Sequence, residues 1–443
     1  MGHNAQGGRM QRGYPFTGVT PAHTIFREEV FGPVLAVSTF ETEEQAVELA
    51  NNSEFGLAAV VVSGDRDHAE RITKELVAGT IWVNCFFVRD LSAPFGGSGA
   101  YQYGARETML AVRAYAQEQL WPHAAKWDKE HHFPHEAHQG LAALGAYGIC
   151  VPEEFGGAHM DYLTVALVLE EIAAGDGGTS TAISVTNCPV NAILMRYGNA
   201  QQKKQWLTPL AQGKMLGAFC LTEPHVGSDA SSLRTTAVKE GDGYVINGVK
   251  QFITSGKNGH VAIVIAVTDK GAGKKGMSAF LVPTNAPGYV VARLEDKLGQ
   301  HSSDTAQINF DNCRIPVENL IGQEGEGYKI ALGALEGGRI GIAAQSVGMA
   351  RSAFESALAY AKQRESFGTA IFNHQAVGFR LAECATQLEA ARQLIWHAAA
   401  LRDAGRPCLK EAAMAKLFAS EMAEKVCSAA IQTLGGYGYV SDF

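Results

Sequence analysis

The residues of this chain that could do chemistry fall into four groups, and spacing removes the chemistry from three of them. Eight cysteines, Cys85, Cys150, Cys188, Cys220, Cys313, Cys384, Cys408 and Cys427, are scattered singly. They lack the paired spacing of a zinc site or disulfide framework and read as reduced, mostly buried thiols. His131, His132, His135 and His138 could ligate a metal, but no carboxylate and cysteine set accompanies them at helical spacing. They read as a solvated helix edge and loop, and no metal is expected. Gly271-Ala272-Gly273-Lys274-Lys275-Gly276 satisfies Gly-x-Gly-x-x-Gly, yet a strand follows it where a dinucleotide fingerprint must open a helix, so it reads as a hairpin turn. The fourth group is Thr222-Glu223-Pro224 with Gly227-Ser228-Asp229, followed downstream by Phe252-Ile253-Thr254. Taken alone, such a polar segment is a helix cap or turn, so its meaning depends on the elements around it.

Those elements change character along the chain. Leu57 to Gly64 and Thr80 to Asn84 read as strands with a polar-faced helix, Asp67 to Leu76, between them. Pro94-Phe95-Gly96-Gly97-Ser98-Gly99 marks a boundary. Amphipathic periods in Thr108 to Leu120, Tyr162 to Ala174 and Ala200 to Ala211 predict helices. Short β-branched segments between Gly217 and Ile321 predict a compact antiparallel β domain, and long Ala, Leu, Glu and Lys-rich segments after Gly327 predict a helical bundle. The fold class is multi-domain α+β, divided at 1–104, 105–216, 217–323 and 324–443.

The 443 residues are 46% hydrophobic with a net charge of -8, which suits a globular protein acting on small molecules. A nucleic-acid or anionic-membrane surface needs clustered Lys and Arg instead. The longest apolar runs, such as Val261 to Val267, fall short of the ~20 residues of a membrane helix. The start, Met1-Gly2-His3-Asn4-Ala5-Gln6, does not begin a signal peptide, so the cytoplasm is the expected compartment.

With this order of elements in place, Phe219-Cys220-Leu221-Thr222-Glu223-Pro224-His225-Val226-Gly227-Ser228-Asp229 resembles the first acyl-CoA dehydrogenase signature at the entry to that family's β domain. The resemblance continues through Val151 to Gly157, Leu335 to Gly341, Gln363 to Gly368 and Leu434 to Phe443. It runs from about Thr108 to Phe443 and is nearest the short-chain, butyryl-CoA-like branch, although Val226 stands where the family usually has a smaller residue. It implies FAD as cofactor, acyl-CoA as substrate, an electron-transfer flavoprotein as redox partner and a homotetramer. Phe219, Leu221 and Thr222 would line the flavin ring, Gly227 and Ser228 would approach the pyrophosphate and the thioester end of the substrate, and Phe252, Ile253 and Thr254 would cover the ring. Arg364, Ser366, Phe367, His374 and Gln375, with Gln432, Gly435 and Gly436, would reach the adenosine half of FAD, partly across a subunit interface. Ser228, Glu336, Arg339 and Lys274 would hold the acyl-CoA.

The implied reaction removes an α-proton to a carboxylate and a β-hydride to the flavin, leaving a trans-2-enoyl thioester. In most of the family that glutamate lies a short distance beyond the signature at which these residues end. The alternative position, before the arginine matching Arg339, is Gly338. No catalytic residue is therefore assigned, and turnover is expected to fall by at least about a thousandfold. The same residues could instead form a non-catalytic chimera that binds flavin or acyl-CoA.

Residues 13 to 104 resemble the C-terminal part of an aldehyde dehydrogenase, through Phe26 to Val34, Ala50-Asn51, Gly79 to Asn84 and Pro94 to Gly97. Glu29 and Phe31 would touch a nicotinamide riboside in intact relatives. The Rossmann half, nucleophilic cysteine and base precede this region in that family, and Cys85 is not at the nucleophile's position. NAD-dependent aldehyde oxidation is accordingly disfavoured. The fragment is expected to leave apolar edges such as Ala59 to Val62 unpaired.

Overall fold

The computed structural model describes residues 14–27, 34–52, 55–56, 58–78, 80–84, 98–99 and 105–440. The expectations placed on Glu29, Phe31, Cys85, Pro94 to Gly97 and Ser441 to Phe443 lie outside the described residues. The chain divides into two units, Met1–Glu107 and Thr108–Phe443.

In the first unit, β1 (Tyr14–Thr17) pairs in parallel with β2 (Val34–Val37). After α1 (Glu43–Asn51), β3 (Ala58–Val61) leads through α2 (Arg66–Thr73) to β4 (Thr80–Val83). Thr42 caps α1 by accepting the Gln45 N–H, and Asp65 caps α2 by accepting the Asp67 and His68 N–H groups. β3 and β4 form a parallel two-stranded sheet with Ala58 opposite Thr80. This is the strand-helix-strand unit read from the sequence. Ala59 to Val61 do find one partner strand, while Val60 and Val62 stay 41% and 81% exposed.

The second unit begins with helices. The first of them, α3 (Ala105–Tyr115), runs through a π-helical turn, Ala116–Leu120, into α4 (Trp121–Glu130), which ends where His131 turns left-handed at φ 52°. It is followed by α5 (His135–Ala143), α6 (Tyr162–Gly175) and α7 (Gly177–Val185), the last two capped by Asp161 and Asp176. α7 passes into a second π-helical turn, Thr186–Asn191, that carries Pro189 and continues into α8 (Ala192–Tyr197). Proline removes an N–H and crowds the preceding turn, which a widened turn accommodates.

An eight-stranded sheet follows, built from β5 (Gly217–Cys220), β6 (Thr236–Glu240), β7 (Gly243–Thr254), β8 (Val261–Val267), β9 (Met277–Pro283), β10 (Tyr289–Leu294), β11 (Thr305–Pro316) and β12 (Leu320–Ile321). The strand order is β10-β11-β7-β6-β8-β9-β12, with β5 pairing β8. β8 explains why an unbroken apolar run is needed. Val261, Ile263 and Ile265 pack with Leu194, Leu207 and Leu210 of the helical layer, whereas Ala262, Val264 and Ala266 pack with Ile246, Phe280 and Phe310 inside the sheet. Both faces are buried, so the alternation that marks a half-exposed strand is absent. Each such Val or Ile contributes roughly 1.5–3 kcal/mol by leaving water. The glycine-rich segment read as a hairpin turn joins β8 to its antiparallel neighbour β9 through a 3-10 connection.

The chain closes with α9 (Gly327–Gln363), α10 (Gln375–Asp403) and α11 (Leu409–Leu434). α9 lies flush against α6 and α7 because it presents glycines. An added Cβ would fall 2.2 Å from the Tyr162 hydroxyl at Gly337, 2.8 Å from the Ser184 hydroxyl at Gly341 and 2.2 Å from the Glu170 carbonyl at Gly348. Charge locks the same layer. Glu171 accepts from Arg113 of α3 at 2.7 Å and from Arg351 of α9 at 2.7 Å, and Glu170 accepts from Arg392 of α10 at 2.8 Å. Burial pushes the Glu171 carboxyl up, but its two guanidinium partners prevail and hold it below the usual carboxylate range.

His131 does not stand in a bare histidine edge. It stacks on His301, ring centroids 4.0 Å apart and 13° from parallel, with Asp296 close by. In nearly parallel stacked rings, an ion in the plane of one imidazole lies out of the plane of the other. His301 Nδ1 lies 3.1 Å from Asp128 Oδ2, its Nε2 lies 2.6 Å from the Lys297 carbonyl, and its backbone N–H donates to Asp128 Oδ1 at 2.7 Å. The pair joins the end of α4 to the loop between β10 and β11. Sequence spacing could not show this set, because Asp128 and His301 are 173 residues apart.

Two outcomes follow from this packing. Gly348→Ala places a Cβ against an immovable backbone carbonyl and is expected to cost about 1–3 kcal/mol, read as a lower thermal midpoint. The hydrogen bond to Asp128 raises the His301 pKa above 6.5 against a smaller opposing effect of burial. Asp128 is pushed up by burial but held below 3.8 overall by its bonds to His301. The stabilisation is therefore full from just above the carboxylate range to 6.5 and is lost as pH rises through the folded histidine pKa. His301→Asn should lower the thermal midpoint more at pH 5.5 than at pH 9. Equal losses would show that the ionic bond between these two groups contributes nothing.

Candidate functional site

The sheet and the long helix α9 meet at a cavity of 330 Å³, within the size range of small-molecule sites. Phe219 of β5 and Phe252 and Thr254 of β7 form the sheet side. Ser184, Val185 and Pro189 come from α7 and its π-helical turn, and Leu335, Gly338, Arg339 and Ile342 from α9. Lys416 of α11 completes the lining. The lining is aromatic and aliphatic with two cations, Arg339 and Lys416, and among the described residues it carries no carboxylate.

Each lining residue is placed by a local cause. β5 runs parallel to β8, with Phe219 opposite Ile263, so Phe219 falls at the sheet edge nearest the helices. Phe252 takes a left-handed conformation at φ 58° and stays 61% exposed. That conformation costs a non-glycine residue about 1–3 kcal/mol and is held by ladder pairs immediately after it, Ile253 with Ala306 and Thr254 with Thr305. On α9, positions 335, 338, 339 and 342 share one face by helical period. Gly338 leaves the wall open, since an added Cβ there would meet nothing within 4 Å.

Of the residues expected at a flavin ring, Phe219, Phe252 and Thr254 line the cavity together. Leu221 and Thr222 do not line it but are bound to β7 directly, Thr222 through its carbonyl to the Gln251 N–H at 2.9 Å and Leu221 through its carbonyl to Lys250 Nζ at 2.9 Å. Ile253 is buried in the sheet core. Gly227 and Ser228 sit on the turn beyond a Glu223–Val226 bridge, and an added Cβ at Gly227 would meet open space. The neighbouring Cys220 is inert, because burial pushes its thiol up to about 12.

The residues expected at the adenosine half lie apart from the cavity. Arg364, Ser366 and Phe367 lead into a small hairpin, Glu365–Ser366 with Thr369–Ala370. Phe367 is left-handed and 96% exposed, and His374 Nε2 lies 3.1 Å from the Ser366 carbonyl. Gln375 begins α10. Gln432 is in the last turn of α11 and Gly435 and Gly436 follow it, beside a contact between Tyr437 and Tyr360 of α9.

The substrate set divides as well. Arg339 reaches the cavity, whereas Glu336 faces α10, bound to Arg402 at 3.2 Å and accepting from the Cys408 thiol at 3.3 Å. Lys274 lies over the Tyr328 ring at 5.3 Å. Lys416, Ser184 and Pro189 were not foreseen, because a lining contributed by one side chain from a distant helix leaves no local pattern. Lys250 did leave a signal, a lysine in the middle of a strand that carries Tyr244, Val245, Ile246, Val249 and Phe252.

Models of the acyl-CoA dehydrogenase family match three consecutive stretches, the N-terminal domain at residues 105–214, the middle domain at 218–313 and the C-terminal domain at 325–443. The aldehyde dehydrogenase family model matches residues 3–120. The rat mitochondrial short-chain specific acyl-CoA dehydrogenase is 46% identical over 330 residues, covering 74% of this chain and 80% of its own. The structure of butyryl-CoA dehydrogenase from Megasphaera elsdenii superposes with a TM-score of 0.76 at 37% identity, over 77% of this chain and 91% of that one. A chain in the structure described as the electron transferring flavoprotein of Acidaminococcus fermentans gives a TM-score of 0.76 at 43% identity, over 76% of this chain and 89% of that one. With the signature at Phe219 to Asp229, the cavity between sheet and α9, and these likenesses over three quarters of its length, the chain belongs to the acyl-CoA dehydrogenase family, oxidoreductases of the short-chain, butyryl-CoA type.

Proposed function

We propose that this protein is built for FAD-dependent α,β-dehydrogenation of a short acyl-CoA thioester to the trans-2-enoyl-CoA, and that the described lining of its cavity does not itself supply the carboxylate that takes the α-proton. The observation that carries both parts is the lining of the 330 Å³ cavity, which has the walls of a flavin and thioester site and no carboxylate among the described residues.

The residues fit the cofactor. Planar aromatic side chains at Phe219 and Phe252 and the Thr254 hydroxyl suit a flat ring with polar edges, and Arg339 and Lys416 suit the anionic half of a coenzyme. FAD, when bound, supplies a two-electron acceptor for the β-hydride. The chain's own task is to orient the thioester against that acceptor, exclude water and accept the α-proton. Phe219, Phe252, Val185, Pro189, Leu335 and Ile342 perform the exclusion by crowding the cavity with apolar surface. Among the described lining residues no carboxylate is offered to the α-proton, since Gly338 contributes only hydrogen where a side chain would enter from α9.

The adenosine contacts of Arg364, Ser366, Phe367, His374, Gln375, Gln432, Gly435 and Gly436 are proposed for a second copy's FAD as well as the chain's own, because these residues lie apart from the cavity. Ser228 and Lys274 are proposed for the thioester and coenzyme ends, and Glu336 for an indirect role through Arg402. A homotetramer, an electron-transfer flavoprotein as acceptor and a cytoplasmic setting complete the reading. A non-catalytic flavin or acyl-CoA binder is the second reading, favoured by the same missing carboxylate. Aldehyde oxidation draws no support from the described residues of the first unit.

Gly338→Glu restores a carboxylate to the wall. In a dye-reduction assay with butyryl-CoA, turnover of the 443-residue chain should rise by about 10²–10⁴ over the unsubstituted protein. Flavin loading with no rise would favour the binder, and ordinary family rates in the unsubstituted chain would show that the proton acceptor comes from outside the described lining.

A further inference from the structure

Lys250 is the least expected residue near the site. It lies within β7, its side chain is 0% exposed, and its partner Glu223 is 1% exposed. A buried charge persists only when paired and fully hydrogen-bonded, and here the bonding is dense. Lys250 Nζ donates to Glu223 Oε1 at 2.9 Å and to the Leu221 carbonyl at 2.9 Å. The Glu223 carboxylate also accepts the Arg234 N–H at 2.8 Å and the Thr235 N–H at 3.0 Å. Burial pulls the ammonium pKa down against Glu223, and it pushes the carboxylate up while Lys250 and the backbone donors hold it below the usual range.

The placement of these bonds matters more than their number. Leu221 is two residues beyond Phe219, and Lys250 is two before Phe252 and four before Thr254. The ammonium therefore ties the segment behind one cavity wall to the strand that carries the other. A second bond beside it, from the Gln251 N–H to the Thr222 carbonyl at 2.9 Å, closes a clamp across the same two segments. Because a trans peptide is planar with its C=O and N–H opposed, aiming the Leu221 carbonyl at Lys250 turns the Thr222 N–H away from it. One buried cation fixes both the spacing of the walls and the orientation of the peptide between them.

We infer that Lys250 and Glu223 are a positioning pair for the flavin, setting the spacing of Phe219–Thr222 against Phe252–Thr254 and thereby FAD affinity and reduction potential. The inference rests on the FAD reading above and adds a role for two residues that do not themselves line the cavity. A pair serving only the fold would change stability when replaced, and would leave affinity and potential alone in any variant that still folds.

The test uses the 443-residue chain with Lys250→Met and Glu223→Gln combined, so that neither charge is left buried alone. Far-ultraviolet circular dichroism establishes folding, quenching of flavin fluorescence gives FAD affinity, and dye equilibration gives the reduction potential. The folded double variant is expected to bind FAD at least tenfold more weakly, with a shifted potential. A folded double variant that binds within twofold of the unsubstituted chain at unchanged potential overturns the inference while leaving the FAD reading intact, whereas failure of the unsubstituted chain to bind FAD overturns both. Should the double variant not fold, amide exchange in the unsubstituted chain decides the matter. FAD is expected to slow exchange in 219–222 and 252–254 together, and protection of one segment alone overturns the coupling.

Discussion

The close approach of α9 to α6 and α7 governs the rest of this structure. It is set by Gly337, Gly341 and Gly348, where any Cβ would fall within 2.9 Å of a neighbouring atom. Leaving those positions bare lets one 37-residue helix pack on the helical layer with one face while presenting Leu335, Gly338, Arg339 and Ile342 to the cavity with another. A helix displaced outward by side chains would widen that cavity and loosen the Arg351 bonds to Glu170 and Glu171. Packing and site geometry are thus one constraint, and the ion pairs secure what the glycines allow.

The sheet contributes a different kind of rigidity. β8 is buried on both faces, so it has little freedom to shift, and β5 and β9 take their positions from it. Phe252 can then be held in a strained left-handed conformation at the cavity mouth, because the ladder pairs that follow it over-determine the backbone. Lys250 adds a polar bond between the two segments that the strand pairing itself does not connect.

Much of this was legible in the sequence. The change from amphipathic helical periods to short β-branched segments at Gly217 and back at Gly327 marked the layers, and of the two motifs Phe219 to Asp229 and Phe252 to Thr254, Phe219, Phe252 and Thr254 stand in the cavity lining; such features are written in consecutive residues. What was not legible depends on tertiary neighbours. Glu336 turns to Arg402 and Cys408 instead of the coenzyme side, Lys416 enters the cavity from a helix more than 70 residues beyond Arg339, and His131 meets His301 across a long loop. No local pattern encodes such meetings. The π-helical turns, Ala116–Leu120, Thr186–Asn191 and Lys203–Leu207, were also hidden, since widening a helix leaves its apolar period nearly unchanged over five or six residues.

The central proposal is that the cavity takes a flavin and a thioester while its described lining offers no carboxylate for the α-proton. Exchange of the α-hydrogens of butyryl-CoA in D2O, followed by proton NMR with the flavin-loaded 443-residue chain, tests it most directly because it reports the base independently of hydride transfer. The account predicts exchange no faster than in buffer alone. Rapid, enzyme-dependent loss of one α-hydrogen signal would contradict it and would place the base outside the described lining.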